Sequence, residues 1–148
     1  MNIVSIAAFM KRKIKSLRYC DRYTLLTWLN WYAARGWLAY VEKDGKLLSA
    51  GVARPVNETI LGLMDHEFKT VRDQAHYLND PKSGMIYVEQ SASNSPQALV
   101  GIVAALKNRF PHAQEIIFRR KSGAWKIKKY KLNRFMKLCM KLNLESVG

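Results

Sequence analysis

Glu89 lies near the end of an apolar run, Met85-Ile-Tyr-Val-Glu-Gln90, and a polar elbow, Ser91-Ala-Ser-Asn-Ser-Pro96, follows directly. A carboxylate at the end of a central strand stands where open α/β sheets bind their ligands. There it can act as a general base if burial raises its pKa. It can equally be paired with one of the many cations nearby. Gln90, Ser91, Ser93, Asn94 and Ser95 offer amides and hydroxyls to the phosphate or carbonyl of a donor ligand, and the same residue types also serve turns and helix caps. A second constellation is basic: Arg119, Arg120, Lys121, Trp125, Lys126, Lys128, Lys129, Lys131 and Arg134, with Tyr130 among them. Cations neutralise phosphates while Trp or Tyr stacks on a base. No base-reading motif accompanies them, so nucleic-acid binding here would tolerate any sequence. The same surface suits an acidic protein. A third group, Asp65-His66-Glu67 with Asp73 and His76, carries the histidine–acid pairs, but the ten-residue step from His66 to His76 fits no ligand spacing, and no metal is expected. No Ser–His–Asp order, Walker loop or dinucleotide fingerprint is present.

The elements that would position these residues follow from period and punctuation. The strand at Met85–Gln90, a helix Gln97–Phe110 and a strand Glu115–Phe118 make a βαβ unit. Ser95 can cap the helix and Pro96 suits its first position. Leu99, Ile102, Val103 and Leu106 give its buried face; Gly101 within it costs about 1 kcal/mol against Ala, which close packing on a sheet would explain. Arg119 to Leu132 reads as a basic hairpin with a turn at Ser122-Gly123. Trp125, Ile127 and Lys129 share one face of its second strand, and Lys126, Lys128 and Tyr130 the other. Upstream, Ile3, Ile6, Met10, Ile14 and Leu17 recur at helical spacing. Asp21 or Thr24 can cap a second helix, Leu25–Arg35, ended by Gly36. Its Trp28, Trp31 and Tyr32 are core packing or a ligand-stacking wall. Asp44-Gly45 predicts a tight hairpin between Trp37–Val41 and Leu47–Ala53. Gly51 suggests a bulge or a close backbone approach, and Arg54-Pro55 is expected to end the strand. Asn57 to Asp80 is the least readable stretch: Ile60, Leu61, Leu63 and Met64 are apolar, Val71, Ala75 and Leu78 suggest a helix near Thr70–Leu78, and Asn133–Leu144 has helical spacing.

Bulk composition sets the frame. With 148 residues, 49% of them hydrophobic, the chain is expected to be one folded domain: helices over 1–36, a sheet core over 37–132 and a basic helix over 133–148. The net charge of +14, from 25 basic against 11 acidic residues, calls for a polyanionic partner: nucleic acid, an anionic membrane or an acidic protein. Cys20 and Cys139 form no metal or redox motif. The apolar N-terminus precedes its charges, the reverse of a secretory leader, and no apolar run is long enough to span a bilayer, so a cytoplasmic location is expected.

The order of two helices, hairpin, helical stretch, then strand–elbow–helix–strand–hairpin resembles the GNAT acetyltransferase superfamily. Within it, the rhythm is similar to the RTX-toxin-activating lysine acyltransferases. The likeness rests on the hairpin Trp37 to Arg54, the strand Ile86-Tyr-Val-Glu-Gln90 and the helix end Arg109-Phe110-Pro111. The resemblance implies an α/β (α+β) fold: a mixed, mostly antiparallel sheet with a central βαβ unit and flanking helices. It implies transfer of an acyl group to a protein or small amine, from acyl-CoA or acyl carrier protein, by an active enzyme or a degenerate relative. The elbow keeps a Gln and a helix start but lacks the spaced glycines whose amides hold a pyrophosphate. The toxin-activating enzymes use an N-terminal His and an Asp on the strand before the elbow. Here no His precedes His66, and Val88 stands at the Asp position with Glu89 one residue along. Glu89 is then the candidate base, and elbow amides would polarise the acyl carbonyl. The alternative from another class is a non-catalytic basic nucleic-acid-binding protein of a phage or other mobile element.

Overall fold

Asp44 and Gly45 both take positive φ, 53° and 76°, and turn β1 (Leu38–Lys43) back on β2 (Lys46–Val56) as the dipeptide predicts. The computed structural model describes residues 2–122 and 124–138, with the backbone alone at 96–97, 120–122 and 124–127. β2 is longer than expected. It runs through Arg54 and Pro55, which pair with Tyr87 and Ile86 of β3 (Met85–Ser93). Pro55 is tolerated because β1 reaches only to Val52, so β2 has a ladder on one side alone at that point.

A crossover helix, α5 (Pro96–Arg109), carries the chain to β4 (Glu115–Ser122), which lies parallel to β3, and β5 (Ala124–Lys131) returns antiparallel. The sheet order is β1-β2-β3-β4-β5. Ser95 caps α5, accepting from the Ala98 N–H at 3.2 Å, and Pro96 sits in its first turn. The elbow is shorter than expected: Ser91 and Ser93 belong to β3, paired with Gly51 and Ser49, and only Asn94 and Ser95 turn the chain. A serine-rich run has low strand propensity, but an available β2 edge overrides it.

Helices cover both faces. On one, Ile102, Val103 and Leu106 of α5 bury against Ala39, Ala53, Ile86, Val88 and Ile116, joined by Leu132 and Phe135 from a helical segment at 132–138. On the other, α1 (Ile3–Lys13) and α2 (Arg22–Ala34) pack on Leu38, Ala50, Val52 and Ala92. Beside them α3 (Glu58–Met64) and α4 (Lys69–Ala75) cover Val56, Met85, Tyr87 and Ile117. This is a three-layer arrangement with both sheet faces covered. α1 ends sooner than its apolar spacing suggests, and Ile14 and Leu17 reach the core through a 3-10 turn, Lys15–Leu17. Asp21, and not Thr24, caps α2; the Thr24 N–H it accepts holds its carboxyl below the usual range. α3 was not anticipated, and α4 is shorter than the Thr70–Leu78 reading. The remainder of the expected C-terminal helix, with Cys139, and Gly123 of the expected turn lie outside the described residues. Among those residues no helix is long and apolar enough to cross a membrane.

Gly101 has the reason its helical position demands. A Cβ there would stand 2.8 Å from Val41 Cγ2, so α5 approaches β1 closer than any side chain permits. Gly101→Ala gains about 1 kcal/mol of helix propensity but incurs an overpacking cost of about 1–3 kcal/mol. A net loss of about 1 kcal/mol in denaturant unfolding is expected; a gain in stability would show that α5 has slack.

Candidate functional site

β3 and β4 pair only from Met85–Val88 to Glu115–Phe118. Beyond that point β3 stays with β2 while β4 stays with β5, so the sheet divides between two parallel strands. At the same place the β2–β3 register slips: Ala53 faces Val88 and Val52 faces Gln90. Glu89 is therefore the extra residue of a β-bulge, left out of the β2 ladder. Bulges re-aim side chains and recur beside active sites.

The Glu89 side chain, 15% exposed, meets two residues from other elements. Its Oε2 pairs with Arg54 Nη1 at 3.5 Å, and its Oε1 lies 3.1 Å from His76 Nδ1. Arg54 is 0% exposed. A buried guanidinium demands acceptors. It donates to the carbonyls of His76 and Ala75, the latter at 3.3 Å, approaches Met64 Sδ at 3.4 Å, and lies 5.5 Å over the Tyr87 ring. This one side chain ties the end of α4 to the bulge. Tyr32 and Tyr87 flank the group. Burial first, and then the Glu89 charge, push both phenols well above their ordinary range, so both keep their protons; against this, the Tyr32 oxygen accepts from Arg54 and the Tyr87 oxygen from Arg119.

Glu89 and His76 form a wall shared by two clefts. The first, about 450 Å³, opens where the strands part; Tyr87 and Gln90 of β3, Arg119 of β4 and Arg72 of α4 line it with the pair. The second, about 410 Å³, lies under α2 and is walled by Trp28, Trp31, Tyr32 and Tyr77.

The residues expected from sequence scatter. Gln90 shares the first cleft with Glu89. Ser91 is a half-buried strand residue, and the Ser93 hydroxyl is buried with no hydrogen-bond partner among the described residues. Asn94 is tied to β2, its N–H donating to Leu48 O at 2.9 Å and its side-chain amide to Leu47 O at 3.3 Å, and it borders a different hollow beside Arg12 and Lys46. The Ser95 hydroxyl is engaged in its cap. Of the basic set, Arg119 lines the first cleft, Lys129 is paired with Glu58, and Lys128, Lys131 and Arg134 are exposed. Tyr130 packs on Phe118 and Phe135. The side chains of Arg120, Lys121, Trp125 and Lys126 lie outside the described residues. Both readings of Glu89 meet in one place, since it has a cation partner and also faces a cleft. Arg54, Arg72, His76 and Tyr87 were not anticipated at the site. Arg54 did leave a signal: a lone charge inside the apolar run Leu47–Val56 needs a buried partner.

No family model and no curated protein matches the chain. A solved structure does: a GNAT-like decarboxylase, GphF, in complex with isobutyryl-CoA, at a TM-score of 0.54 and 14% identity. The match covers 79% of this chain and 60% of that one, so this chain spans less than two thirds of its neighbour. Such an identity speaks for fold alone, and the narrower likeness to toxin-activating acyltransferases rests on sequence pattern only. The parallel pair that parts, its crossover helix and this neighbour together give the chain a GNAT-like fold.

Proposed function

We propose that the chain is an acyltransferase that moves an acyl group from a phosphopantetheine thioester, on CoA or an acyl carrier protein, to an amine. The observation that carries this reading is the division of the sheet at Val88 and Phe118, with Glu89 bulged out at the point of division and a cleft beside it. A volume near 450 Å³ falls within the roughly 300–1,000 Å³ of small-ligand sites. The donor would lie between the parted strands, whose facing edges no longer bond each other, and backbone amides there would polarise the thioester carbonyl. Glu89 and His76 form the base: as the amine nitrogen attacks the carbonyl carbon, its proton passes to this pair and the C–S bond breaks. The proton that the pair takes from the amine passes on to the departing thiolate, and the Tyr87 phenol, protonated in the same cleft, steadies that sulfur with a hydrogen bond. Arg72 and Arg119 in the cleft, with Lys128, Lys131 and Arg134 exposed on the chain, favour an anionic donor or acidic carrier. A nucleic-acid partner has the net charge in its favour, but Tyr130 and Lys129 of the basic hairpin are engaged within the chain.

Thermal unfolding with acetyl-CoA, longer acyl-CoAs and acyl carrier protein tests the reading. A donor present at a hundred times its Kd adds about 2.7 kcal/mol, or roughly 5–10 °C in Tm for a chain of this size. No shift with any of these donors sinks it.

A further inference from the structure

We infer that the aromatic cleft under α2 binds a small organic cation, a primary ammonium carried on an aromatic or aliphatic body. Trp28, Trp31 and Tyr32 follow one another on one side of α2, and Tyr77 faces them from the segment after α4. The rings meet edge to face, Trp28 and Tyr32 at 5.2 Å, Trp31 and Tyr32 at 5.0 Å, Trp31 and Tyr77 at 6.2 Å. They wall a space of about 410 Å³ instead of filling it. An aromatic face attracts cations through its quadrupole. The chain already shows this at Trp31, where Arg35 lies 3.9 Å over the ring.

Charge selects the occupant. The chain carries 25 lysines and arginines against 11 acids, yet among the described residues no lysine or arginine lines this cleft, and its one acid is Glu89. Arg54, which pairs with that carboxylate, is turned to the carbonyls of Ala75 and His76 and does not line the cleft. A carboxylate can accept from several donors at once. An apolar body would therefore rest among the rings with its ammonium at Glu89 and His76, the pair that also faces the first cleft. That the cation is the acyl acceptor rests on the acyl-transfer reading; its binding does not.

The test is calorimetric titration of the whole chain, with no donor present, by 2-phenylethylammonium, 2-phenylethanol, octanoate and a lysine-containing hexapeptide. The ammonium is expected to bind at least tenfold tighter than the alcohol, and octanoate weakest. Trp28→Ala should weaken the ammonium by roughly two- to thirtyfold. Thr27 is an exposed residue lining the same cleft, so Thr27→Arg introduces a cation there without touching the core and should cost more than tenfold in affinity at unchanged Tm. Equal or tighter binding of the alcohol or of octanoate would assign the cleft to an apolar acyl chain and overturn the inference. So would binding confined to the peptide, or an unchanged Kd in Thr27→Arg. Ammonium binding without turnover from any donor removes the acyltransferase and leaves the cation site; turnover onto other acceptors without ammonium binding does the reverse.

Discussion

His76→Gln is expected to lower kcat for acyl transfer by about 10²–10⁴-fold while leaving the fold and donor binding close to wild type. The asymmetry comes from which part of the residue does what. Its ring, 31% exposed, stands between both clefts at 3.1 Å from the Glu89 carboxylate. Its structural duty falls on the main-chain carbonyl that Arg54 grips, which any side chain leaves in place. The measurement is kcat and KM together with the donor-induced Tm shift. A variant that loses donor stabilisation along with turnover would make His76 a binding residue. One that keeps full kcat would remove the ring from the chemistry.

Glu89→Ala is expected to cost about 3–5 kcal/mol of stability, the toll of leaving a buried guanidinium without its counter-charge. At 0% exposure Arg54 cannot turn to water, and its carbonyl acceptors satisfy hydrogen bonds but not charge. For a chain of this length the loss is roughly 10 °C in Tm. Arg54→Leu in the same background should restore part of it, because a buried ion pair replaced as a whole is often near neutral. A cycle in which the two losses simply add would mean that the 3.5 Å pair contributes no coupling. For that reason, lost activity in Glu89→Ala alone could not be assigned to chemistry, and His76→Gln is the cleaner probe.

Local signals were legible where chemistry and backbone geometry coincide in adjacent residues. Asp44-Gly45 specified its turn through positive φ, Ser95-Pro96 specified the start of α5, and Gly101 pointed to the close approach to β1. Glu89 was legible as a position, a carboxylate beside the elbow. Its company was not. His76 arrives by way of α3 and α4, two helices of seven residues each, about two turns, too short to repeat their apolar spacing convincingly and held by burial against Val56, Met85 and Ile117. Arg54-Pro55 read as a strand end because proline usually is one; only the three-dimensional fact that β1 stops short makes it a strand interior. The serines of β3 read as loop by composition, and the β2 ladder overruled them.

Among the described residues β5 is an outer strand of the sheet, with one edge unpaired in the strand order. An open edge is a template for a second copy of the chain, and lysine is the residue that most often keeps it solitary. Lys128, Lys129 and Lys131 of this strand suit that role whatever else they attract. Stripping their charge would remove a safeguard against self-association, so particle size has to be followed alongside any loss of partner binding in such variants.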